Sequence, residues 1–293
     1  MRKQFIRTVE DLMGKDERPV LLLGDIGVFG FRNAFKQFPQ RAYNIGICEQ
    51  AMTSVAAGLA QEGLVPVIHS IAPFVVERCL EQLKVDFCYQ KLGGNIVTVG
   101  GSYDYAALGC THHCPGDVAV LRALPGMEIV LPGTPSEFDQ LFRAGYANGQ
   151  PTYFRLSERS NPESCEVKFA RANIVKQGGR ATVVVVGPAL APALAATHDL
   201  DVTVLYYTTV APFDADTLRQ NCARRKVALI EPYYQGVLIP DVLAALGPGP
   251  VQIASLGVPH RFLTNYGTQE QHDEALNLSP AAMRERIVQL IHE

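Results

Sequence analysis

Two short stretches of the sequence carry side chains suited to moving protons. Glu49 stands at the junction of a predicted strand and a predicted helix, and Thr111-His112-His113 follows a loop rich in glycine and tyrosine, residues 100–109. A carboxyl group holds or shares a proton, and an imidazole does so close to neutral pH. Ligands of α/β proteins bind at the loops beyond the strand ends, which is where we expect both stretches to lie.

The second of these stretches lies within Cys110-Thr-His-His-Cys114, which brings two thiols and two imidazoles together, as a metal site would. Zinc sites usually combine two separated pairs of ligands, and no second pair stands at a suitable spacing. The sequence has 7 cysteines, and an odd number without an apolar export segment is typical of reduced thiols. We therefore predict no metal site on this chain.

Short apolar strands that alternate with helices must position these side chains. Residues 49–62 form a predicted helix, and residues 73–88 carry apolar side chains at helical spacing. Thr134, Pro135 and Glu137 are the residue types of a helix start, so we expect a helix from there to about Gly149. The strands predicted in the first half are 19–24, 65–70, 95–100, 128–131 and 152–156.

A polar segment without periodicity, residues 157–164, divides the chain. Beyond it, strands are predicted at 182–186, 202–207, 227–231 and 251–256, and Ser279-Pro280 begins a last amphipathic helix. Strands and helices alternate on both sides of the segment. This pattern predicts the α/β fold class, with two open α/β sandwich domains at residues 1–160 and 161–293.

The charge and hydropathy patterns argue against two classes of partner. Lys and Arg total 26 and Asp and Glu total 29, so no basic excess exists to neutralise a nucleic-acid backbone. The most apolar run, residues 181–196, is interrupted by Gly187, Pro188 and Pro192 and is too short to span a bilayer. We expect a cytoplasmic protein with neither a nucleic-acid nor a membrane partner.

Several segments resemble, in the right order, those of the transketolases. Residues 44–60 resemble the segment that opens their pyrimidine-binding domain, and residues 257–267 resemble the C-terminal domain that they share with 2-oxo-acid dehydrogenase β subunits. The resemblance covers nearly the whole chain and implies a thiamine diphosphate-binding fold. Between these two segments stand Pro73-Phe-Val-Val-Glu-Arg78, Gly109-Cys-Thr-His-His113, Leu121-Arg-Ala-Leu-Pro-Gly-Met127 and Pro151-Thr-Tyr-Phe-Arg-Leu156.

The resemblance implies that four residues bind the cofactor. Glu49 would hydrogen-bond N1′ of the aminopyrimidine, Phe74 would stack on that ring, and Ile47 and Arg78 belong to the same matching segments. The residues themselves leave alternatives open. Glu49 could bind free backbone amides at a helix start, and Phe74 could be a core residue.

For substrate binding the resemblance implies His112, with His113 as its alternative, together with Arg155 and Asp25. The imidazole would hydrogen-bond the donor and manage protons during C–C bond cleavage and formation. Arg155 would bind a substrate phosphate through two hydrogen bonds, and its alternative role is an ion pair near the linker. His69 stands alone in an apolar run, and we expect it in the core or at its rim.

Two positions depart from the transketolase pattern. Leu108 stands where the family has an Asp four residues before the His, and Phe29 stands where a phosphate-binding Ser follows the first strand. Two polar substrate contacts thus become apolar while the cofactor-activating groups remain. We expect transfer of a two-carbon ketol or acyl unit from a keto donor to an aldehyde or keto acceptor, with a less usual donor or acceptor such as a modified sugar or a secondary-metabolite intermediate.

The resemblance also implies a partner chain. The Gly-Asp-Gly…Asn motif that holds Mg²⁺ and the cofactor diphosphate does not occur in residues 1–293. The chain therefore looks like the β-type half of a split transketolase, whose N-terminal, diphosphate-binding subunit would carry the Mg²⁺ ligands in an α2β2 heterotetramer. Two alternatives remain: the E1 β subunit of a 2-oxo-acid dehydrogenase, and a non-catalytic scaffold subunit.

Overall fold

Twelve strands form two sheets in the computed structural model, which describes residues 1–293. The larger sheet has the strand order β10-β5-β6-β4-β3-β1-β2, and the smaller has the order β12-β11-β8-β9-β7. Neighbouring strands run parallel except β5 with β10 and β7 with β9. The strands are β1 (Pro19–Leu23), β2 (Ala42–Asn44), β3 (Val65–Ile71), β4 (Gly94–Val99), β5 (Glu128–Val130), β6 (Pro151–Arg155), β7 (Asn173–Lys176), β8 (Ala181–Val186), β9 (Val202–Tyr207), β10 (Thr209–Ala211), β11 (Lys226–Tyr234) and β12 (Gln252–Val258).

Helices connect most of these strands, and none has the length and apolar character needed to cross a bilayer. Between β3 and β4 the chain is helical with widened, π-type turns at Pro73–Glu77 and Leu83–Tyr89. The α-helices are α1 (Arg2–Lys15), α2 (Arg32–Gln37), α3 (Glu49–Gln61), α4 (Leu80–Gln82), α5 (Asp117–Arg122), α6 (Pro135–Gly145), α7 (Leu190–Thr197), α8 (Ala215–Asn221), α9 (Ile239–Leu246), α10 (Gln269–Ala275) and α11 (Pro280–His292).

The central strands confirm the sequence prediction closely. Every predicted strand is present, with ends that shift by at most three residues. β1, β4, β6, β8 and β9 are buried along their whole length. Helices cover both faces of a parallel sheet, so its central strands consist of nearly continuous apolar runs. The short strands β2, β7 and β10 were not predicted.

The start of α6 is confirmed, but its predicted end is wrong. Oγ1 of Thr134 accepts a hydrogen bond from the amide of Glu137 at 3.2 Å, as expected of a helix cap. The helix ends at Gly145 rather than near Gly149. Asn148 causes the early end, because its side-chain oxygen accepts from the amide of Gln150 at 2.9 Å and forms a turn in place of another helical turn.

One strand does not follow the division of the chain into two series. β10 lies beyond the polar segment 157–164, yet Thr209 pairs with Val130 of β5 in the larger sheet. In addition, the hydroxyl of Tyr206 donates to Oε2 of Glu137 at 2.7 Å, across the same division. Both main apolar clusters of the core contain residues from either side of the segment. The domain bounds 1–160 and 161–293 remain a prediction.

Candidate active site

The predicted site residues follow four neighbouring strands of the larger sheet. β4, β3, β1 and β2 lie side by side and run parallel, so their carboxyl ends meet at one edge. Such an edge is where an α/β sheet binds its ligands. Residues 100–113, which we call the His112 loop, follow β4. Phe74 and Arg78 follow β3, Asp25 follows β1, and Glu49 follows β2.

Glu49 is the first residue of α3, and only 1% of it is exposed. Its Oε2 lies 2.7 Å from Nη1 of Arg78, and its Oε1 accepts from Oγ of Ser70 at 3.4 Å. Gly24 makes room for the carboxyl group, because a Cβ there would lie 3.3 Å from Cγ of Glu49. The side chain therefore pairs with Arg78 and does not cap the backbone of its own helix.

Phe74 connects this ion pair to His112 through two ring contacts. The guanidinium carbon of Arg78 lies 4.4 Å from the centroid of the Phe74 ring. The ring of His112 lies 5.6 Å from that of Phe74, edge to face. We call Glu49, Phe74, Arg78 and His112 the cleft cluster, because their contacts bring a buried carboxylate, a cation, an aromatic ring and an imidazole together.

The two neighbouring histidines have different surroundings. His112 is half-buried, its Nδ1 lies 3.0 Å from Oγ1 of Thr111, and its ring contacts Phe74 and Tyr105. His113 is buried and its ring lies 5.5 Å from that of His272. Burial, and then the neighbouring His272, lower the pKa of His113. Of the two, His112 is the one whose ring contacts Phe74.

Arg155 is buried in an ion pair and is not brought to the cleft cluster. Its Nε donates to Oδ2 of Asp117 at 2.6 Å, and its Nη2 donates to the carbonyl of Pro232 at 3.2 Å. A Cβ on Gly101 would lie 2.5 Å from the guanidinium carbon, so the backbone also covers this side chain. This geometry supports the alternative of an ion pair, because a substrate phosphate would have to displace Asp117.

We call the surface at the carboxyl edge of β4, β3, β1 and β2 the crevice, and exposed side chains form its rim. Asp25 has a left-handed backbone, with φ of 65°, and its amide donates to Oδ1 of Asn44 at 2.9 Å. Ile47 is 71% exposed on the segment that leads into α3. Leu108 is 52% exposed on the His112 loop, and Phe29 is 82% exposed on the loop after β1. Apolar groups thus stand at both positions that depart from the transketolase pattern.

Basic residues of α1 lie beside the crevice, and sequence analysis did not identify them. Arg2, Lys3 and Arg7 line a cavity of about 540 Å³, and Arg2 also lines the groove next to Asp25. None of the three forms an ion pair within the chain. Glu158 also lines the cavity, so its lining carries a net positive charge, which suits an anionic ligand. The only sequence signal is the run of charges at the N-terminus, which does not reveal what the helix lies against.

His69 is a core residue, as expected. Its Nδ1 lies 2.8 Å from the carbonyl of Val97 and must donate to it, because a carbonyl oxygen only accepts. Burial lowers the pKa of His69 to about 4, so the ring is neutral at neutral pH. The seven cysteines are all free, and no group of three or more His, Cys, Asp or Glu side chains is arranged to hold a metal ion.

Comparison with known proteins identifies relatives along the whole chain. Residues 1–163 match the family model described as the transketolase pyrimidine binding domain. The chain is 37% identical over 287 residues to a protein of Rhodococcoides fascians called an uncharacterized 33.6 kDa protein in the fasciation locus, and the match covers 97% of this chain and 92% of the relative. It is 28% identical to a protein of Phocaeicola vulgatus that is named as one subunit of an apulose-4-phosphate transketolase, over 92% of this chain and 94% of the relative.

A solved structure shares the fold. The structure described as a split gene transketolase, inactive beta4 tetramer, superimposes with a TM-score of 0.85 at 24% sequence identity. The superposition covers 99% of this chain and 97% of the other.

Proposed function

This chain belongs to the transketolase family, and we propose that it acts as the β-type half of a thiamine diphosphate-dependent enzyme that transfers a two-carbon ketol or acyl unit. The donor would be a keto compound and the acceptor an aldehyde or a second keto compound. The cleft cluster carries this proposal, because it connects a buried carboxylate to an imidazole through Arg78 and one aromatic ring.

The residues present fit the pyrimidine end of thiamine diphosphate. Glu49 offers a buried carboxylate, Phe74 offers a half-buried ring, and Ile47 offers an exposed apolar side chain at the rim. When bound, thiamine diphosphate supplies a nucleophilic carbon and stabilises negative charge that develops on the donor.

Glu49 would share a proton with N1′ of the aminopyrimidine. Arg78 contacts Oε2 at 2.7 Å, whereas Oε1 has only a long contact of 3.4 Å with Ser70. Oε1 is therefore the oxygen free to take the new hydrogen bond. Arg78 holds the carboxylate in place from the other side, which keeps it oriented before the cofactor arrives.

His112 would hold and move a proton at the substrate. Its Nδ1 contacts the hydroxyl of Thr111, which leaves Nε2 to face a substrate oxygen. An imidazole suits this task because it gains and loses a proton near neutral pH. Contacts with the Phe74 and Tyr105 rings restrict its orientation.

The substrate would have an anionic end, and it would form fewer polar contacts with the protein than an ordinary sugar does. Arg2, Lys3 and Arg7 offer unpaired positive charge beside the crevice, and Leu108 and Phe29 offer apolar surface. One relative is named for a sugar phosphate, apulose 4-phosphate, and a phosphate is an anionic end of this kind. We therefore propose a phosphorylated or similarly charged modified sugar as donor or acceptor.

A second chain would complete the site. It would hold the cofactor diphosphate and supply the Mg²⁺ ligands, and we propose an α2β2 assembly in the cytoplasm. Its contact surface would adjoin the cleft cluster, because the diphosphate end of a cofactor whose pyrimidine ring binds there must reach the second chain.

The test is a reconstitution of this chain with its diphosphate-binding partner, thiamine diphosphate and Mg²⁺. Hydroxypyruvate is a suitable probe, because it is the smallest 2-oxo acid with a ketol group and its use releases CO₂. We expect Glu49→Gln to lower the rate by at least about 100-fold while the mass of the complex stays unchanged. Glu62→Gln, at the exposed far end of α3, is the matched control and should keep the wild-type rate.

Three outcomes would contradict the proposal. A wild-type rate in Glu49→Gln would remove the carboxylate from the mechanism. A complex that assembles but transfers nothing would favour the scaffold alternative. Reductive acylation of a lipoyl group by the wild-type complex would instead identify the chain as an E1 β subunit.

A further inference from the structure

Helix α10, in the second half of the chain, contacts the His112 loop of the first half. His272 of this helix is completely buried. Its ring stacks on that of Tyr103 at 5.2 Å and lies 5.5 Å from the ring of His113, which is adjacent to His112. The segment before the helix also takes part, since a Cβ on Gly109 would lie 2.7 Å from the Tyr266 ring.

The hydrogen bonds of His272 define one neutral form of its ring. Nε2 lies 3.4 Å from the carbonyl oxygen of Ala106, which only accepts, so Nε2 carries the proton. Nδ1 lies 3.2 Å from Nδ2 of Asn265 and accepts from it. A completely buried imidazole thus binds the backbone of the His112 loop directly.

Further polar contacts hold the same loop from α10. Tyr103 donates its hydroxyl proton to Asp273 at 2.6 Å, and Asp273 is paired with Arg159 at 2.7 Å. Gln269 donates to the carbonyl of Asp104 at 3.0 Å. The base of the loop is closed separately, by backbone hydrogen bonds of 3.0 and 2.7 Å between Ser102 and Cys114. The loop is therefore fixed at its base by the first half and along its length by the second half.

We propose that His272 is a positioning residue, which holds the His112 loop so that the imidazole of His112 reaches the substrate. This inference rests on the proposed function of His112 and adds a role for the second half of the chain. His272 touches neither substrate nor cofactor. It acts through the Ala106 carbonyl and the ring of His113.

The test compares three versions of position 272 in the reconstituted complex, with hydroxypyruvate as the probe. His272→Phe keeps a planar aromatic ring but loses both hydrogen bonds, and we expect kcat to fall about tenfold with the affinity for thiamine diphosphate unchanged. His272→Gln can place an amide donor near the Ala106 carbonyl, and we expect it to recover most of the rate. His198→Phe, at an exposed histidine that directly follows α7, is the control for the substitution itself.

A double-mutant cycle shows whether the effect passes through His112. In a His112→Ala background, His272→Phe should change kcat by less than about twofold, because the group that it positions is already gone. A full tenfold loss in that background would overturn the proposal. So would an unchanged kcat in His272→Phe alone.

A measurement without substrate separates this inference from the proposed function. In the full chain labelled with ¹³C-histidine, we expect His272→Phe to shift the ring resonances of His112 at a fixed pH, because the ring moves relative to Phe74, and His272→Gln to restore them. Wild-type resonances of His112 in His272→Phe would overturn the positioning role even if the enzyme is active. If the wild-type complex transfers nothing, the proposed function fails while these resonances still decide the role of His272.

Discussion

Single residues determine the charge balance of the crevice, and the pair of Glu49 and Arg78 is the clearest case. Glu49 is buried, whereas the side chain of Arg78 is 38% exposed. Ser70 makes the other contact to the carboxylate, and it is long. Removal of Arg78 would therefore leave a buried negative charge almost without partners.

We expect Arg78→Met to destabilise the chain by about 1–2 kcal/mol, a value reduced by the partial exposure of the arginine. Urea unfolding at pH 7 measures the change. Adding Glu49→Gln to the same chain should recover most of the loss, because no buried charge then remains. An unfolding midpoint equal to that of the wild type in Arg78→Met would show that the ion pair does not stabilise the fold.

His69 predicts a dependence of stability on pH. Burial lowers its pKa from 6.5 to about 4 in the folded chain, so between these pH values His69 is protonated in the unfolded chain and neutral in the folded chain. The free energy of unfolding is therefore unaffected by this residue above pH 6.5. It falls by about 1.4 kcal/mol for each pH unit between pH 6.5 and pH 4.

The substitution His69→Asn isolates this term, since an amide keeps a donor for the Val97 carbonyl but does not titrate. Unfolding midpoints of both proteins between pH 7 and pH 4 give the difference. We expect the wild type to lose its advantage over the variant as the pH falls through this range. Parallel curves would mean that His69 is not the group responsible.

At the scale of elements, the sequence predicts those whose burial is uniform. β1, β8 and β9 are continuous apolar runs because the sheet is covered on both faces. The strands β2 and β10 have three residues each, and they lack an apolar run such as Ile129-Val-Leu131, which made the equally short β5 predictable. The sequence analysis does not predict α1 for another reason: charged residues surround its buried face, which includes Phe5, Val9 and Met13.

The candidate site shows the same limit. Glu49 and His112 stand in recognisable local patterns, and the fold brings both to the carboxyl edge of one sheet. The partner of Arg155 is 38 positions away, at Asp117, and no local pattern reveals that pair. Arg2 likewise depends on where α1 lies, which only tertiary packing determines.

The cap of α6 predicts a loss of stability that belongs to an element. Oγ1 of Thr134 accepts from the amide of Glu137 and contacts Oγ of Ser164. We expect Thr134→Ala to cost about 1 kcal/mol in urea unfolding, and Thr134→Ser to recover it because the hydroxyl is kept. Ser136→Ala is the control on the same helix turn. Equal losses in the alanine and serine variants would assign the effect to packing of the methyl group.

At the scale of the whole molecule, the two halves should not fold separately. A fragment of residues 1–163 lacks β10 and leaves β5 with a free edge. It also loses the bond from Tyr206 to Glu137 and the contact of Arg155 with Pro232. These contacts cross the division of the chain in its buried interior.

We expect that fragment to aggregate or to unfold without a cooperative transition, and residues 164–293 supplied in trans to rescue it partly. Size-exclusion chromatography and urea unfolding measure both effects, with the full chain as the reference. A monodisperse fragment that unfolds cooperatively at the wild-type midpoint would show that residues 1–163 form an independent domain.

The pairing of β10 with β5 also sets an order of events during synthesis of the chain. Roughly 80 residues separate the two strands, and a ribosome adds about 5–20 residues per second, so β5 waits some 4–16 s for its neighbour. During that interval the nascent sheet carries an open edge that other chains can join. The larger sheet is therefore completed only after three of the five strands of the smaller sheet have been translated, and a factor that shields nascent chains would act in that interval.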